Sequence, residues 1–126
     1  MIWWHEAQFA LWNRSNLLDR TLGWYEKAEP IARQIAQRQG FDGVRWMKMT
    51  DPSGTEAPSK VGSFLIWQQP HLIYLAELLY RADPTKEVLE KYNRLVQETA
   101  EFMYSFATYD ELEGRYILKG AIPAQE

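Results

Sequence analysis

Apolar residues recur every three or four positions along four stretches of the chain, and this spacing predicts amphipathic helices. The first stretch, Ile2 to Trp12, predicts a helix of about three turns. The second carries its apolar stripe from Leu18 to Ile35, with Ser15 or Asn16 as a suitable N-cap. Pro30 lies inside this stripe, and we expect a kink or restart there because proline removes a helical donor.

The regular spacing stops between Phe41 and Ser63, where the sequence has three glycines and two prolines. Gly40 is expected to end the second helix, and the residues after it predict a long loop, either ordered or disordered. Pro70 suits the first turn of a third helix because its missing N–H is not needed there. The segment His71 to Arg81 is apolar on most sides, which is typical of an inner helix.

A fourth helix follows, with Asp83 as its expected N-cap and Pro84 at its first position. Its apolar stripe runs from Val88 to Phe106, and charged residues occupy the opposite side. A short β-like piece, Arg115 to Gly120, precedes the C-terminus. The predicted fold class is therefore all-α: one helical unit, residues 1–126, of two consecutive αα-hairpins with a long loop at 41–63.

Composition excludes several classes of function. The chain has 126 residues, a net charge of −3 and no block of basic residues, so we do not expect a nucleic-acid partner. The absence of cysteine excludes disulfides, thiolate nucleophiles and cysteine-ligated zinc. We find no signal-peptide pattern and no apolar run of the roughly 20 residues that cross a bilayer, and the sequence indicates no compartment.

Aromatic residues make up 14% of the chain, and several stand beside polar residues. Such pairs suit the rings and hydroxyls of sugars, although aromatics more commonly fill protein cores. Four clusters are candidates for binding or catalysis: "WWHE" (Trp3 to Glu6), "RWMK" (Arg45 to Lys48), "WQQPH" (Trp67 to His71) and "PAQE" (Pro123 to Glu126). If the two inner helices lie side by side with the same ends together, "WWHE" and "WQQPH" share one rim.

Each cluster also has a structural interpretation. His5 and His71 lack the spacing of a metal site, and a hydrogen-bonded structural role is the alternative. Gln68 and Gln69 also suit capping of the third helix and of loop carbonyls. Arg45 and Lys48 are equally compatible with a solvated pair, and Glu126 with a frayed terminus. Glycosidic bond cleavage by two carboxyl groups makes Glu6 and Glu126 candidates for such a pair.

The clusters together resemble glycoside hydrolase family 65-like proteins. The segment "GVRWMKMTDPSGTEAPS" looks like that family's inner loop, and "IWWHEAQFALW" is similar to its aromatic "W-D-T-E" segment. The segment "WQQPHLIYLAELLYR" is similar to the inner helix after that loop. These matches cover almost the whole chain in the family's order.

The resemblance implies an (α/α)6 toroid that hydrolyses or phosphorolyses α-linked oligosaccharides, without a nicotinamide or metal cofactor. Trp4 matches a sugar-contacting tryptophan of the family, and Glu126 matches its general-acid glutamate. His5 replaces a sugar-contacting aspartate, and Gln125 replaces the aspartate before the acid. The resemblance therefore assigns Glu126 as the catalytic residue that protonates the leaving oxygen. The expected substrate-binding residues are Trp4, His5, Glu6, Arg45, Trp46, Lys48, Gln68, Gln69 and His71.

Two hairpins are a third of a six-hairpin toroid, so we expect the chain to be incomplete as an enzyme by itself. The expected ligand is an oligosaccharide. A slice of this kind is expected to expose inner-helix leucines, namely Leu72, Leu75 and Leu79, and to self-associate into a homo-oligomer through them. The alternative hypothesis is a noncatalytic helical module that binds carbohydrate or protein through the same aromatic rim.

Overall fold

Four α-helices and one short antiparallel sheet make up the regular structure of residues 2–123, the part of the chain that the computed structural model describes. The helices are α1 (Ile2–Leu11), α2 (Ser15–Arg38), α3 (His71–Ala82) and α4 (Lys86–Phe106), and a 3₁₀ turn spans Gly62–Phe64. Strands β1 (Thr108–Asp110) and β2 (Arg115–Ile117) form the sheet. The mostly helical class predicted from the sequence is confirmed.

Each helix packs against its neighbour in the chain. Helix α1 lies against α2, and α3 lies against α4, while further contacts join α1 to α3 and α2 to both α3 and α4. The main core lies between these helices, and it consists of buried side chains from α2, α3, α4 and the loop before α3. A smaller core surrounds Phe102 and Phe106 near the end of α4.

Helix α2 differs from its prediction in two places. Ser15 is its first residue, and Arg14 occupies the N-cap without a side-chain hydrogen bond. The helix also continues through Pro30, so the predicted restart is wrong. Pro30 and Glu26 are both exposed, so the Glu26 carbonyl that loses its helical donor is in a solvent-facing part of the helix.

The end of α2 follows the sequence prediction. Gly40 has φ +81°, a left-handed conformation that glycine adopts without strain. Its N–H donates to the carbonyl of Gln37, and the N–H of Phe41 donates to the carbonyl of Ala36. These two bonds form a Schellman motif, which satisfies carbonyls at the end of the helix.

The N-cap of α4 is Thr85 rather than the predicted Asp83. The Thr85 side chain accepts a hydrogen bond from the Val88 N–H, whereas Asp83 ends α3. Thr85 lies two residues after Asp83. Its backbone is extended, which is the conformation that lets an N-cap side chain accept a hydrogen bond from the first turn of the helix.

The inner-helix leucines are buried by the chain itself. Leu72 and Leu75 are inaccessible to solvent, and Leu79 is nearly so, because α3 packs on α1, α2 and α4. The prediction that these leucines are exposed for self-association is therefore wrong.

The segment 41–63 is fastened to the helices at several points. Val44 donates its N–H to the Glu98 carbonyl, and Arg45 donates its N–H to the Ala32 carbonyl. Gly43 has φ +68°, and a Cβ at that position would clash with the Glu98 carbonyl of α4. A bridge between Thr50 and Glu56 closes the outer part of the loop. Glycine thus allows the loop backbone to pass directly against α4.

A carboxylate of α2 joins α2 to α4 by ion pairs. Glu29 contacts both Arg33 and Arg94, and Arg33 also contacts Glu98 at 2.7 Å. Hydrogen bonding by Arg94 and then by Arg33 holds the pKa of Glu29 below its ordinary value of 4.5.

We expect this network to make the fold less stable in acid. Because the folded pKa of Glu29 is depressed, its contribution is complete above pH 4.5 and disappears as the pH falls through the folded pKa. The arginines are partly exposed and screened, so the expected loss is about 1 kcal/mol. Urea midpoints at pH about 6 and about 3 measure it, and Glu29→Gln should reduce the difference. Glu90→Gln, in an exposed pair with Lys86, is the control, and an equal effect of both variants would contradict the prediction.

Candidate functional site

Helix α1, which begins with the segment "WWHE", packs against α3, which follows the segment "WQQPH". Trp3 is in the first turn of α1 and Tyr74 is in the first turn of α3, and their ring centroids are 5.6 Å apart. Trp3 of "WWHE" thus contacts α3 one helical turn after His71, the last residue of "WQQPH", and the shared rim stays a prediction.

Three aromatic rings follow one another across this rim. The ring of Trp3 is 5.1 Å from that of Trp4, at an interplanar angle of 86°, and it contacts Tyr74 on the other side. Trp4 and Tyr74 are exposed, while Trp3 is half-buried between them. We call these three residues the aromatic row. It offers a continuous apolar surface, with the Tyr74 hydroxyl as a polar group.

Trp67 and His71 lie at the same end of α3, and their rings are in edge contact at 5.4 Å. Burial lowers the pKa of His71, so its imidazole is neutral at neutral pH. The Nδ1 atom of His71 and the indole N–H of Trp67 are both buried, and neither has a hydrogen-bond partner within residues 2–123.

Gln68 is 8% exposed and uses only one end of its amide. Its Nε2 donates to the carbonyls of Trp46, at 3.0 Å, and Leu65, at 2.8 Å. Its Oε1 accepts no hydrogen bond from the described residues. The loop therefore fixes the orientation of the amide and leaves its buried acceptor unpaired.

Glu6 places a carboxylate on α1, one helical turn after Trp3. Burial, and secondarily the charge of Glu6, raise the pKa of Tyr25, so the carboxylate is near that phenol. The Tyr25 ring is 4.8 Å from the ring of Trp46, whose carbonyl binds Gln68. The Oε2 atom of Glu6 is buried without a partner in the described part of the chain.

We call Glu6, Trp67, Gln68 and His71 the polar set. One N–H donor, two oxygen acceptors and an imidazole nitrogen of these side chains are buried and have no partner among residues 2–123. Buried polar groups are normally paired because an unpaired one costs about 1–3 kcal/mol. Side chains of this kind beside an aromatic surface suit hydroxyl groups, which both donate and accept.

Gln69, the neighbour of Gln68, is committed to the loop. Its Oε1 accepts from the Trp46 N–H at 2.9 Å, and its Nε2 donates to the Val44 carbonyl at 2.6 Å. It is almost fully buried. The structural interpretation of this glutamine, satisfying loop backbone groups, is thus the one that its contacts support.

Arg45 and Trp46 also point inward. The Arg45 guanidinium is 1% exposed, donates to the carbonyls of Ser63 and Leu65, and stacks 5.1 Å from the Phe102 ring centroid. Burial lowers its pKa. The Trp46 indole N–H donates to the Thr99 hydroxyl at 2.9 Å. Neither side chain reaches the surface, so their placement does not support the ligand contact expected of them.

The remaining candidates divide between the surface and the chain end. Trp4 and His5 are exposed on the outer side of α1, and Lys48 is half-buried beyond Met47. Glu126 lies outside the described residues. The sequence argument missed Trp3, Trp67 and Tyr74 as site residues, although two of them stand inside the quoted clusters and Tyr74 is one helical turn after His71.

Within residues 2–123, no group of three His, Asp or Glu side chains is arranged to hold a metal ion. No helix among these residues has the length and hydropathy needed to span a membrane.

Comparisons with protein-family models, with curated proteins and with solved structures find no match to this chain.

Proposed function

We propose that the rim formed by α1 and α3 binds an α-linked oligosaccharide, and that the chain is part of a glycoside hydrolase-like catalytic unit. In this proposal its four helices correspond to two hairpins of an (α/α)6 toroid. The chain by itself is an incomplete enzyme, because one carboxylate at the rim does not provide an acid and a base on opposite faces of the sugar.

The observation that supports sugar binding is the aromatic row, together with the contact of Trp67 and His71 one helical turn before Tyr74. Sugar rings present apolar faces and hydroxyl edges, and the rim offers a matching combination of aromatic rings and unpaired donors and acceptors. Arg45 is not placed to bind a ligand phosphate, because it is buried against Phe102 and Phe106. A neutral sugar fits this charge pattern better than a phosphorylated one.

The experiment is titration of the protein with maltose and maltotriose, followed by NMR or calorimetry. We expect Tyr74→Ala to weaken binding about tenfold, which corresponds to roughly 1.4 kcal/mol. Glu6→Gln should weaken it by a similar factor, because it alters a buried acceptor of the polar set. Tyr104→Ala is the control. Its affinity for the sugar should be unchanged, because Tyr104 is an exposed residue of α4 and not of α1 or α3.

Stability measurements on the same variants distinguish a ligand role from a structural one. Glu6→Gln replaces a carboxyl group that has one buried, unpaired oxygen, so the free energy of unfolding should stay the same or rise while binding falls. A fall in stability with unchanged affinity would assign Glu6 to the structure of the fold and contradict the proposal.

The second candidate function is a noncatalytic carbohydrate-binding module, and the same rim supports it. Glu126→Gln separates the two. In the complete catalytic unit, this change removes the general acid, so turnover should be abolished. The affinity for sugar should be nearly unaltered. A module has no turnover to lose, and its affinity should equal that of the wild type.

A further inference from the structure

The aromatic row is long enough for more than one sugar ring. Trp4 at one end is 75% exposed and Tyr74 at the other is 43% exposed, while Trp3 between them is half-buried. The ring centroids of Trp3 and Trp4 are 5.1 Å apart, and those of Trp3 and Tyr74 are 5.6 Å apart. Each step is comparable to the distance between neighbouring pyranose rings in an oligosaccharide. The row therefore matches three consecutive sugar units, of which a disaccharide supplies two.

The three rings do not lie in one plane. The plane of Trp4 is turned by 86° from that of Trp3, and the plane of Tyr74 is turned by 39° from it. Sugar rings stack on the large apolar faces of aromatic side chains, so a ligand that contacts all three rings has to change direction between its units. Chains of α-linked glucose bend in this way, whereas chains of β-linked glucose are extended ribbons. The row therefore favours a bent chain.

The Tyr74 end of the row has further side chains close to it. His71 is three residues before Tyr74, so the two residues are neighbours on the surface of α3. The ring of His71 is in turn 5.4 Å from the ring of Trp67. Trp4 is on α1, at the opposite end of the row, and its ring contacts that of Trp3. A short ligand therefore gains most at the Tyr74 end, and a longer ligand extends to Trp4.

We propose that the aromatic row binds three consecutive units of a bent, α-linked oligosaccharide, and that Trp4 holds the third unit. This inference rests on the proposed function and adds the length and the shape of the ligand. Trp4 selects for the length of the sugar chain, whereas Tyr74 contributes to the binding of short and long chains alike.

The test compares maltose with maltotriose as ligands of the wild type and three variants. The wild type should bind maltotriose about fivefold more tightly than maltose, because the third unit adds one stacking contact. Trp4→Ala should leave the affinity for maltose unchanged and remove this gain. Tyr74→Ala should weaken the binding of both sugars. Trp12→Ala should keep the gain and is the matched control, because Trp12 is also 75% exposed but follows the end of α1.

The β-linked sugars cellobiose and cellotriose test the bend, and the wild type should show no gain between them. Trp4 is exposed, so its variant should keep the fold, and circular dichroism verifies that it does. Four results would overturn the inference and leave the proposed function in place: equal affinities of the wild type for maltose and maltotriose, a gain that persists in Trp4→Ala, a loss of maltose binding in that variant, or the same gain with the β-linked pair. Binding of none of these sugars would contradict the proposed function, and the inference with it.

Discussion

Arg45→Ala is expected to lower the free energy of unfolding by about 3–5 kcal/mol, the largest loss among the substitutions considered for this chain. Arg45 is among the largest side chains that the fold encloses completely. Its Nη2 atom donates to the carbonyl of Ser63 at 2.8 Å and to that of Leu65 at 3.3 Å. Alanine leaves the Ser63 carbonyl without this donor and the Leu65 carbonyl with only the Gln68 amide, and it opens a cavity beside two aromatic rings.

The size of the effect follows from the position of Arg45 between two parts of the fold. Its guanidinium lies over Phe102 and Phe106, at 5.1 and 5.9 Å from their ring centroids. These rings form the smaller core at the end of α4, while Ser63 and Leu65 belong to the approach to α3. The arginine therefore joins the long loop to α4, and its loss weakens both sides of the contact.

Chemical denaturation of three variants measures this effect and its origin. Arg45→Met keeps much of the side-chain volume but removes the donors, and it should cost about 2–3 kcal/mol. The difference between the Met and Ala variants gives the contribution of packing. Arg38→Ala, which removes an exposed arginine paired with Glu56, should cost no more than about 1 kcal/mol. Equal losses at Arg45 and Arg38 would contradict the structural role of Arg45.

The helices could be predicted from the sequence because their apolar spacing follows the 3.6-residue period over many turns. The stripe of α4 is an example, since Tyr92, Leu95, Thr99 and Phe102 are all buried as predicted. The starts of helices were harder to place, as Thr85 shows, because several polar residues near a helix start have the chemistry of a cap. The choice among them depends on backbone angles that composition does not encode.

The sequence predicted only part of the candidate site, because it does not show the direction of each side chain. Local pattern places a residue on an element but does not show which way a loop residue points. "RWMK" has polar and aromatic residues in the combination typical of a binding loop, yet Arg45 and Trp46 turn toward α4. Conversely, Tyr74 appears in sequence as one more residue of an apolar helix, and only the packing of α1 on α3 brings it to the rim.

Two adjacent glutamines, Gln68 and Gln69, show that even neighbouring residues of the same type can have different roles. Gln68 and Gln69 both precede Pro70 and both are buried, but they make different hydrogen bonds. Gln69 uses Oε1 and Nε2 on the backbone of Trp46 and Val44. Gln68 uses only Nε2, and its Oε1 has no partner among the described residues. We therefore expect Gln69 to act in stability and Gln68 to act also in binding.

Gln69→Leu should lower the free energy of unfolding by about 2–5 kcal/mol, because it leaves the buried Trp46 N–H and Val44 carbonyl without partners. Gln69→Glu keeps an acceptor for the Trp46 N–H but puts an oxygen against the Val44 carbonyl, so it should also lower the free energy of unfolding. Urea denaturation measures both, with the exposed Gln97→Leu as a control that should stay within about 0.5 kcal/mol of wild type.

Sugar titrations on the folded fraction complete the comparison of the two amides. Affinity per folded molecule should be unchanged in Gln69→Glu, whereas Gln68→Glu, which puts an acceptor where the Trp46 and Leu65 carbonyls need a donor, should disturb both affinity and stability. A loss of affinity in Gln69→Glu at full stability would show that this side chain reaches the ligand. The loop and the rim would then be one binding surface, and the division drawn from the hydrogen bonds would be wrong.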